Sequence, residues 1–227
     1  KKKITNSEEL PGALLQVVDK DGNVVEEWIS TDKPHEIVAK LVVDESYVLR
    51  EVRPADGWAY AEDVPFKVSH DGTVDYVKME DKPTHVVISK QEITGSKELP
   101  GCTLQVIDKN GNVVDEWFST DQPHEIKEKL IADEEYTLRE VRPADGWAYA
   151  EDIPFKVSHD GTVDQVKMED KPTHVVVSKK KITGKEELPG CHLVIKDKNG
   201  NVVDEWTSST IPHEIVAKLI AGETYTL

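Results

Sequence analysis

An internal repeat constrains the fold of this chain more than any other feature. The segment REVRPADGWAYAED occurs at Arg50–Asp63 and again, unchanged, at Arg139–Asp152, an offset of 89 residues. The same offset relates the segments that begin KKKITN at Lys1, KQEITG at Lys90 and KKKITG at Lys179. Self-similarity at a fixed offset is the signature of tandem modules. We therefore predict three domains: 1-82, with a truncated first strand; 83-171, complete; and 172-227, truncated at its C-terminus.

The pattern within each repeat is typical of β-structure. Short segments rich in β-branched and aromatic residues alternate with turn signals, of which Asn110-Gly111 and Asp160-Gly161 predict hairpins. Units of this size with many short strands favour β-sandwiches, so the predicted class is all-β, tandem immunoglobulin-like or prealbumin-like sandwiches. The pattern of residues 125–135, EIKEKLIADEE, is ambiguous, and this segment could contain a helical turn. The short Lys-Pro-Thr linkers at 82–84 and 171–173 predict a rather stiff rod.

Composition excludes several classes of partner. The 227 residues carry a net charge of −16, which argues against nucleic acid or an anionic membrane as a partner. No apolar run approaches the length that spans a bilayer, so direct membrane insertion is not expected. No leader or anchor is apparent, so any targeting segment is expected outside this chain. Cys102 and Cys191 occupy the place of Ala13 in the first repeat, which indicates a small buried residue rather than a disulfide.

Charged residues fall on the apolar faces of predicted strands. The period of two that turns Met79 inward also turns Asp81 inward, and Lys90 shares a face with Val86 and Ile88. Tyr136 and Leu138 have the same phase as Glu140. Each complete repeat therefore directs a Lys, a Glu and an Asp towards its core. The predicted sets are Lys1, Glu51 and Asp81, and Lys90, Glu140 and Asp170.

Burial suggests a reaction between these residues. An apolar site favours the neutral forms of an amine and a carboxyl group. A neutral amine can attack a carboxyl carbon, and a neighbouring Glu can relay the proton to the departing hydroxyl. The product is a Lys–Asp amide, with loss of one water. The alternative is a salt bridge at the solvated rim of the sandwich, because bulges at strand ends can reverse the phase of a side chain.

The motifs resemble those of a known family. ISKQEITGSKELPGCTLQVIDKNGNVV at Ile88–Val114, YTLREVRPADGW at Tyr136–Trp147 and VKMEDKP at Val166–Pro172 are similar to the collagen-adhesin B-type, or SpaA-like pilin, repeats of Gram-positive surface proteins. The resemblance covers essentially the whole chain. Family members usually have Ala-Pro-x-Gly-Tyr after the Glu, whereas this chain has Arg-Pro-Ala-Asp-Gly-Trp, which leaves Glu51 and Glu140 matched.

The resemblance implies both a fold and a covalent bond. The family has a prealbumin-like β-sandwich and, in many members, a spontaneous isopeptide bond from a first-strand Lys to a last-strand Asn or Asp, assisted by a core Glu. By position, Lys90 would be bonded to Asp170 with Glu140 catalytic. Lys1 would likewise be bonded to Asp81 with Glu51 catalytic.

The function expected from these observations is structural. We expect a stalk or filament repeat of an extracellular adhesin or pilus on the cell wall, with neighbouring repeats or subunits of the same array as partners. The alternative is an adhesive module that binds a host matrix glycoprotein or polysaccharide, for which Trp58, Tyr60, Trp147 and Tyr149 could form a stacking platform. A hydrolase is least favoured, because no site appears beyond the self-reacting residues. The chain is therefore not expected to be an enzyme.

No cofactor or metal is expected. Asp19–Gly22 superficially resembles a calcium loop but lacks the third ligand and the distal Glu, so a type I′ hairpin turn is predicted instead. The third repeat is expected to leave Lys179 unpaired, because the chain stops at Leu227, before the equivalents of its Glu and Asp. We expect the natural chain to continue with a sequence close to REVRPADGWAYAED.

Overall fold

The computed structural model describes residues 1–227, and every regular element in it is a β-strand. This confirms the predicted all-β class. The first repeat contains β1 Lys2–Lys3, β2 Leu14–Val18, β3 Val24–Ile29, β4 Ser46–Arg53, β5 Val64–Lys67 and β6 Glu80–Asp81. The second contains β7 His85–Glu92, β8 Thr103–Asp108, β9 Val113–Phe118, β10 His124–Lys127, β11 Glu135–Arg142, β12 Ile153–Lys156 and β13 Val163–Asp170. The third contains β14 His174–Val177, β15 His192–Lys196, β16 Val202–Thr207 and β17 His213–Val216.

Each complete repeat has two sheets. One is four-stranded, in the order β3-β2-β4-β5 in the first repeat and β9-β8-β11-β12 in the second. The other places the first strand of the repeat beside the last, as β1-β6 and as β10-β7-β13. The β1–β6 pair is parallel, with Lys3 opposite Asp81. This pairing brings the two ends of a repeat together.

The core of each repeat follows from strand alternation. In β2, Leu15 and Val17 are buried, and they pack with Tyr47, Leu49 and Met79. The matching positions of the second repeat include Leu104, Val106 and Leu138, all fully buried. The third repeat has a smaller cluster of Ile195, Ile215 and Leu219. β-Branched and long apolar side chains on one face of each strand therefore supply the hydrophobic core.

Contacts between Cα atoms group the chain into two compact units. The first consists of Lys1–Val87, Glu125–Tyr136 and Phe155–Val166. The second consists of Ile88–His124, Thr137–Pro154 and Lys167–Leu227. The predicted charged set of the first repeat lies wholly within the first unit, and that of the second repeat lies wholly within the second.

Two turn predictions are wrong. At Asp19–Gly22 the Gly22 N–H donates to Asp19 O, but only Gly22 has a positive φ, of 84°, whereas a type I′ turn needs two such residues. The geometry is that of a type I turn closed by a left-handed glycine, beside the bulge between Val17 and Val18. The Asp160-Gly161 turn joins β12 to β13, which belong to different sheets, so it is not a hairpin.

The other local prediction concerns residues 125–135. They contain part of β10, with no helical turn. The structure also has no helix that could span a membrane.

Candidate functional site

Three strands of the second repeat bring a lysine, a glutamate and an aspartate into its core. In β7 the inward positions Val86, Ile88 and Lys90 are 0%, 1% and 2% exposed. The inward face of β11 ends at Glu140, and that of β13 ends at Asp170, which is 1% exposed. The period-two alternation thus continues to the ends of these strands without a reversal of phase. The alternative of a salt bridge at the solvated rim of the sandwich therefore does not apply, because all three side chains are buried.

The three side chains of the second repeat are in direct contact. The Lys90 Nζ atom lies 2.8 Å from Glu140 Oε1, and it is hydrogen-bonded to Asp170 Oδ1. The other Glu140 oxygen, Oε2, accepts a hydrogen bond of 2.8 Å from the backbone N–H of Ala150. The glutamate is therefore anchored on one side and faces the amine on the other.

The first repeat contains the same arrangement. Lys1 Nζ lies 2.8 Å from Glu51 Oε1 and is hydrogen-bonded to Asp81 Oδ1. The three side chains have no solvent exposure. Glu51 Oε2 accepts a hydrogen bond of 2.8 Å from the backbone N–H of Ala61. The cluster therefore forms even though the first strand, β1, is only two residues long.

Burial changes the protonation of both aspartates. Desolvation raises the pKa of Asp170 from 3.8 to about 6, against the lowering effect of Lys90, and Glu140 adds to the rise. The same causes raise the pKa of Asp81 to about 7. A carboxyl group with such a pKa exchanges readily between its charged and neutral forms near neutral pH. An amine in contact with a carboxyl that is easily neutralised is the arrangement that amide formation needs.

The third repeat has no such cluster. The side chain of Lys179 is exposed, and its backbone N–H donates to Glu187 Oε2 at 3.0 Å. The two cysteines are free thiols, with Cys102 buried and Cys191 partly buried.

One group of side chains has the spacing of metal ligands. The ligand atoms of Cys102, Glu140 and Asp170 lie within 4.8 Å of one another. However, Lys90 Nζ already contacts both carboxylates of this group. A cation would have to displace that ammonium group.

We therefore expect treatment with a chelator such as EDTA to leave the melting temperature of the whole chain unchanged, because Lys90 Nζ already lies where a cation would contact the two carboxylates. Thermal unfolding with and without the chelator, followed by circular dichroism, measures this. A clear drop in melting temperature would indicate that the Cys102 group, or the Asp19 turn, holds an ion.

The aromatic residues proposed as a glycan platform do not share one environment. Trp58 is 4% exposed and packs with Leu10 and Ala55, whereas Tyr149 is 56% exposed. Tyr60 stacks on His159 with ring centroids 4.2 Å apart. These residues therefore do not form matching exposed platforms in the two repeats.

Sequence reasoning missed a repeated stack of tryptophan on histidine. The pairs Trp28–His35, Trp117–His124 and Trp206–His213 have ring centroids 4.1 to 4.3 Å apart. The His124 ring also meets Asp115 at 2.7 Å, and the His213 ring meets Asp204 at the same distance. The constant spacing of seven residues from Trp to His in every repeat is the signal that could have revealed the stack.

The linker threonines form hydrogen bonds with the repeat before the linker and with the repeat after it. The Thr84 hydroxyl lies 3.0 Å from Gly57 O and 2.8 Å from Leu130 O, and Thr84 O accepts from the Glu128 N–H at 3.1 Å. All four residues belong to the first compact unit. Within the second unit, Thr173 makes the same contacts with Gly146 O and Leu219 O, at 3.0 and 2.7 Å. Each linker is therefore held by hydrogen bonds to residues from both adjoining repeats.

Comparison with known structures gives distant similarities. The Bacillus anthracis TIE protein has a TM-score of 0.47 at 17% identity, covering 93% of this chain and 41% of that one. The shaft pilin SpaA from Lactobacillus rhamnosus GG has a TM-score of 0.36 at 12% identity, covering 74% and 88%. A C-terminal fragment of the pilus adhesin SpaC from the same organism has a TM-score of 0.39 at 16% identity, covering 76% and 95%.

The chain spans about two fifths of the TIE protein. No curated protein sequence matches it. The family comparison is more direct, since residues 1–83 and 84–172 each match the SpaA prealbumin-like fold domain. These two matches cover most of the sequence, and the chain therefore belongs to the SpaA prealbumin-like fold domain family.

Proposed function

We propose that this chain is a stalk or filament segment of a Gram-positive surface adhesin or pilus, and that its repeats are cross-linked by self-formed Lys–Asp amides. The observation that carries the proposal is the buried Lys–Glu–Asp cluster, which occurs with the same contacts in both complete repeats. The clusters involve Lys1, Glu51 and Asp81, and Lys90, Glu140 and Asp170.

The energetics of burial favour a reacted state. A buried ion pair often stabilises a protein no more than apolar packing does, because desolvation of both charges offsets their attraction. Here one cation is surrounded by two carboxylates, all almost fully buried. Amide formation removes two of the three charges. It therefore relieves the desolvation cost that the unreacted cluster imposes.

The reaction balances without a cofactor. A proton first passes from the Lys90 ammonium group to Asp170 Oδ1, which leaves a neutral amine and a neutral carboxyl group. Nζ then attacks Asp170 Cγ, and a new C–N bond forms. Glu140, 2.8 Å from Nζ, takes a proton from the attacking nitrogen and delivers it to the departing oxygen. The C–O bond breaks and one water leaves. Holding the two groups in contact supplies the effective molarity of an intramolecular reaction, at best about 7 to 11 kcal/mol of the barrier.

The consequence is mechanical. Lys90 lies near the start of its repeat, and Asp170, 80 positions later, lies at the end. A bond between them would carry a pulling force across the repeat through covalent links, so the core strands would bear little load. The fastened linkers Thr84 and Thr173 support the same function, because they limit motion between successive repeats.

The function follows from this mechanical role. Each cluster reacts once with itself and turns over no substrate, so the chain is not proposed to be an enzyme. Its partners are neighbouring repeats or subunits in an extracellular array or filament.

The mass of the intact chain under denaturing conditions tests the proposal. We expect the wild-type chain to be two waters lighter than its sequence, one for each complete repeat. Digestion should yield branched peptides that join Lys1 to Asp81 and Lys90 to Asp170. A denatured mass equal to the sequence mass would refute the cross-links.

The raised pKa of Asp170 predicts a pH dependence for an unreacted variant. In Lys90→Met the amide cannot form, and the pKa of Asp170 rises above about 6, because Lys90 supplies the effects that lower it. A carboxyl whose pKa is raised by folding stabilises the native state fully below its unfolded pKa. That stability is lost as the pH rises through the folded value. The Lys90→Met variant should therefore lose at least about 1 kcal/mol between pH 5 and pH 8.

Chemical denaturation at several pH values measures this loss. Lys90→Met/Asp170→Asn is the matched control, because an amide side chain at 170 cannot ionise. A parallel pH dependence in the two variants would show that Asp170 has an ordinary pKa.

A further inference from the structure

A buried thiol faces the cluster of the second repeat. Cys102 is 0% exposed, and its Sγ atom lies 3.8 Å from Asp170 Oδ2, at hydrogen-bonding distance for sulfur. The other oxygen of Asp170, Oδ1, faces Lys90. The cysteine backbone is held in place, because its N–H donates to Ser119 Oγ at 2.8 Å. The two oxygens of the reacting carboxyl group therefore have different partners.

The first repeat lacks this donor. Ala13 stands at the position equivalent to Cys102, with the same backbone bond, from its N–H to Ser30 Oγ at 2.9 Å. Asp81 is 0% exposed, and its Oδ2 atom has no hydrogen-bond partner. The two repeats thus form a natural pair that differs by one donor at the same carboxyl oxygen.

The thiol keeps its proton under ordinary conditions. Burial raises the pKa of Cys102 to about 11 from 9.0. At neutral pH the group is therefore S–H, which is a weak donor and can point its hydrogen at Asp170 Oδ2. As a thiolate it would instead repel the negative charge on that oxygen.

We propose that Cys102 is a catalytic residue for the amide bond of the second repeat, acting as hydrogen-bond donor to Asp170 Oδ2. The inference rests on the proposed function. As Lys90 Nζ adds to Cγ, negative charge builds on Oδ2, and the thiol hydrogen stabilises it without leaving sulfur. Oδ1, which already carries the proton received from Lys90, then accepts the proton relayed by Glu140 and departs as water, while Oδ2 remains as the amide carbonyl oxygen.

The size of the effect can be bounded. Removal of one donor to a developing oxyanion lowers a rate by roughly 10² to 10³ when the donor is an amide. A thiol is a weaker donor. We expect Cys102→Ala to slow formation of the Lys90–Asp170 bond about tenfold.

A time course of bond formation in the full chain tests the role of Cys102. The chain is made by cell-free synthesis, samples are quenched in denaturant, and the branched peptides are quantified by mass spectrometry. Each chain carries both bonds, so the Lys1–Asp81 peptide is an internal reference for folding. The measurement is made in the wild type and in Glu51→Asp/Glu140→Asp, where the shorter side chain moves the relaying carboxylate away from the amine, so that a slower chemical step keeps folding from limiting the rate.

Two substitutions act in opposite directions. Cys102→Ala should slow only the Lys90–Asp170 bond, whereas Ala13→Cys should speed only the Lys1–Asp81 bond. Alanine is tolerated at this position, since the first repeat carries it natively. Cys191→Ala, at the equivalent position of the third repeat, is the matched control and should change neither bond.

The outcomes separate the two proposals. Equal rates and extents for Cys102→Ala and wild type in both backgrounds would overturn the role of Cys102, while the bonds themselves would stand. If neither branched peptide formed in any chain, the cross-links would be overturned, and the role of Cys102 with them. A gain for Ala13→Cys at unchanged melting temperature would exclude a merely structural effect.

Discussion

Replacing Glu140 with Ala should give a denatured chain only one water lighter than its own sequence mass, instead of the two waters expected for the wild type. Without Glu140 no group relays the proton from Lys90 Nζ to the departing oxygen of Asp170, so the second repeat stays unlinked. The Lys1–Asp81 bond of the first repeat should be unaffected, because its own glutamate, Glu51, is anchored separately by the Ala61 N–H. Intact-mass measurement, followed by digestion, shows which branched peptide has disappeared.

The same variant should be much less stable. By analogy with a disulfide, opening a cross-linked loop of 80 positions releases chain entropy worth roughly 4 to 5 kcal/mol. The variant also retains a buried Lys90 and Asp170, whose desolvation is no longer relieved. A large fall in melting temperature is therefore expected. Glu51→Ala is the matched control, since it should remove the Lys1–Asp81 peptide instead. A Glu140→Ala chain that is still two waters lighter than its own sequence mass would contradict the assigned role of this glutamate.

Replacing Gly57 with Ala should disrupt the contact around the first linker. Gly57 has a φ of +83°, and a Cβ added there would lie 3.0 Å from Glu128 Cα and closer still to the Glu128 carbonyl group. Both neighbouring atoms belong to backbone, which cannot move aside as a flexible side chain can. The variant should lose about 2 to 5 kcal/mol, the sum of left-handed strain and overpacking.

Gly22→Ala is the control that separates the backbone strain of a positive φ from the steric overlap with Glu128. Gly22 has a φ of +84°, and nothing lies within 4 Å of an added Cβ, so this variant should lose only the strain of about 1 to 2 kcal/mol. Chemical denaturation measures both losses. Hydrogen exchange at the Glu128 amide, which donates to Thr84 O, reports on the contact itself. Equal losses and equal exchange in the two variants would show that Gly57 does not approach Glu128 closely.

The buried charged residues could be located from sequence because strands have a period of two. Once Val86 and Ile88 face a core, Lys90 must face it too, and the structure places it there at 2% exposure. The repeat then identified Lys1 by its offset alone. Turn chemistry was less informative. Asp160-Gly161 has the sequence of a hairpin turn, yet it connects two sheets, because which strands pair depends on contacts distant in the chain.

The repeat, the all-β class and the set of charged residues that point inward could all be predicted from the amino-acid sequence. These follow from local periodicity, which each strand expresses regardless of its partners. The folded structure was needed to show that Cys102 contacts Asp170 Oδ2 whereas Lys90 contacts Oδ1. It was also needed to show that Thr84 is hydrogen-bonded to Leu130. Such contacts join residues dozens of positions apart, and their geometry depends on how sheets pack, which no local pattern encodes.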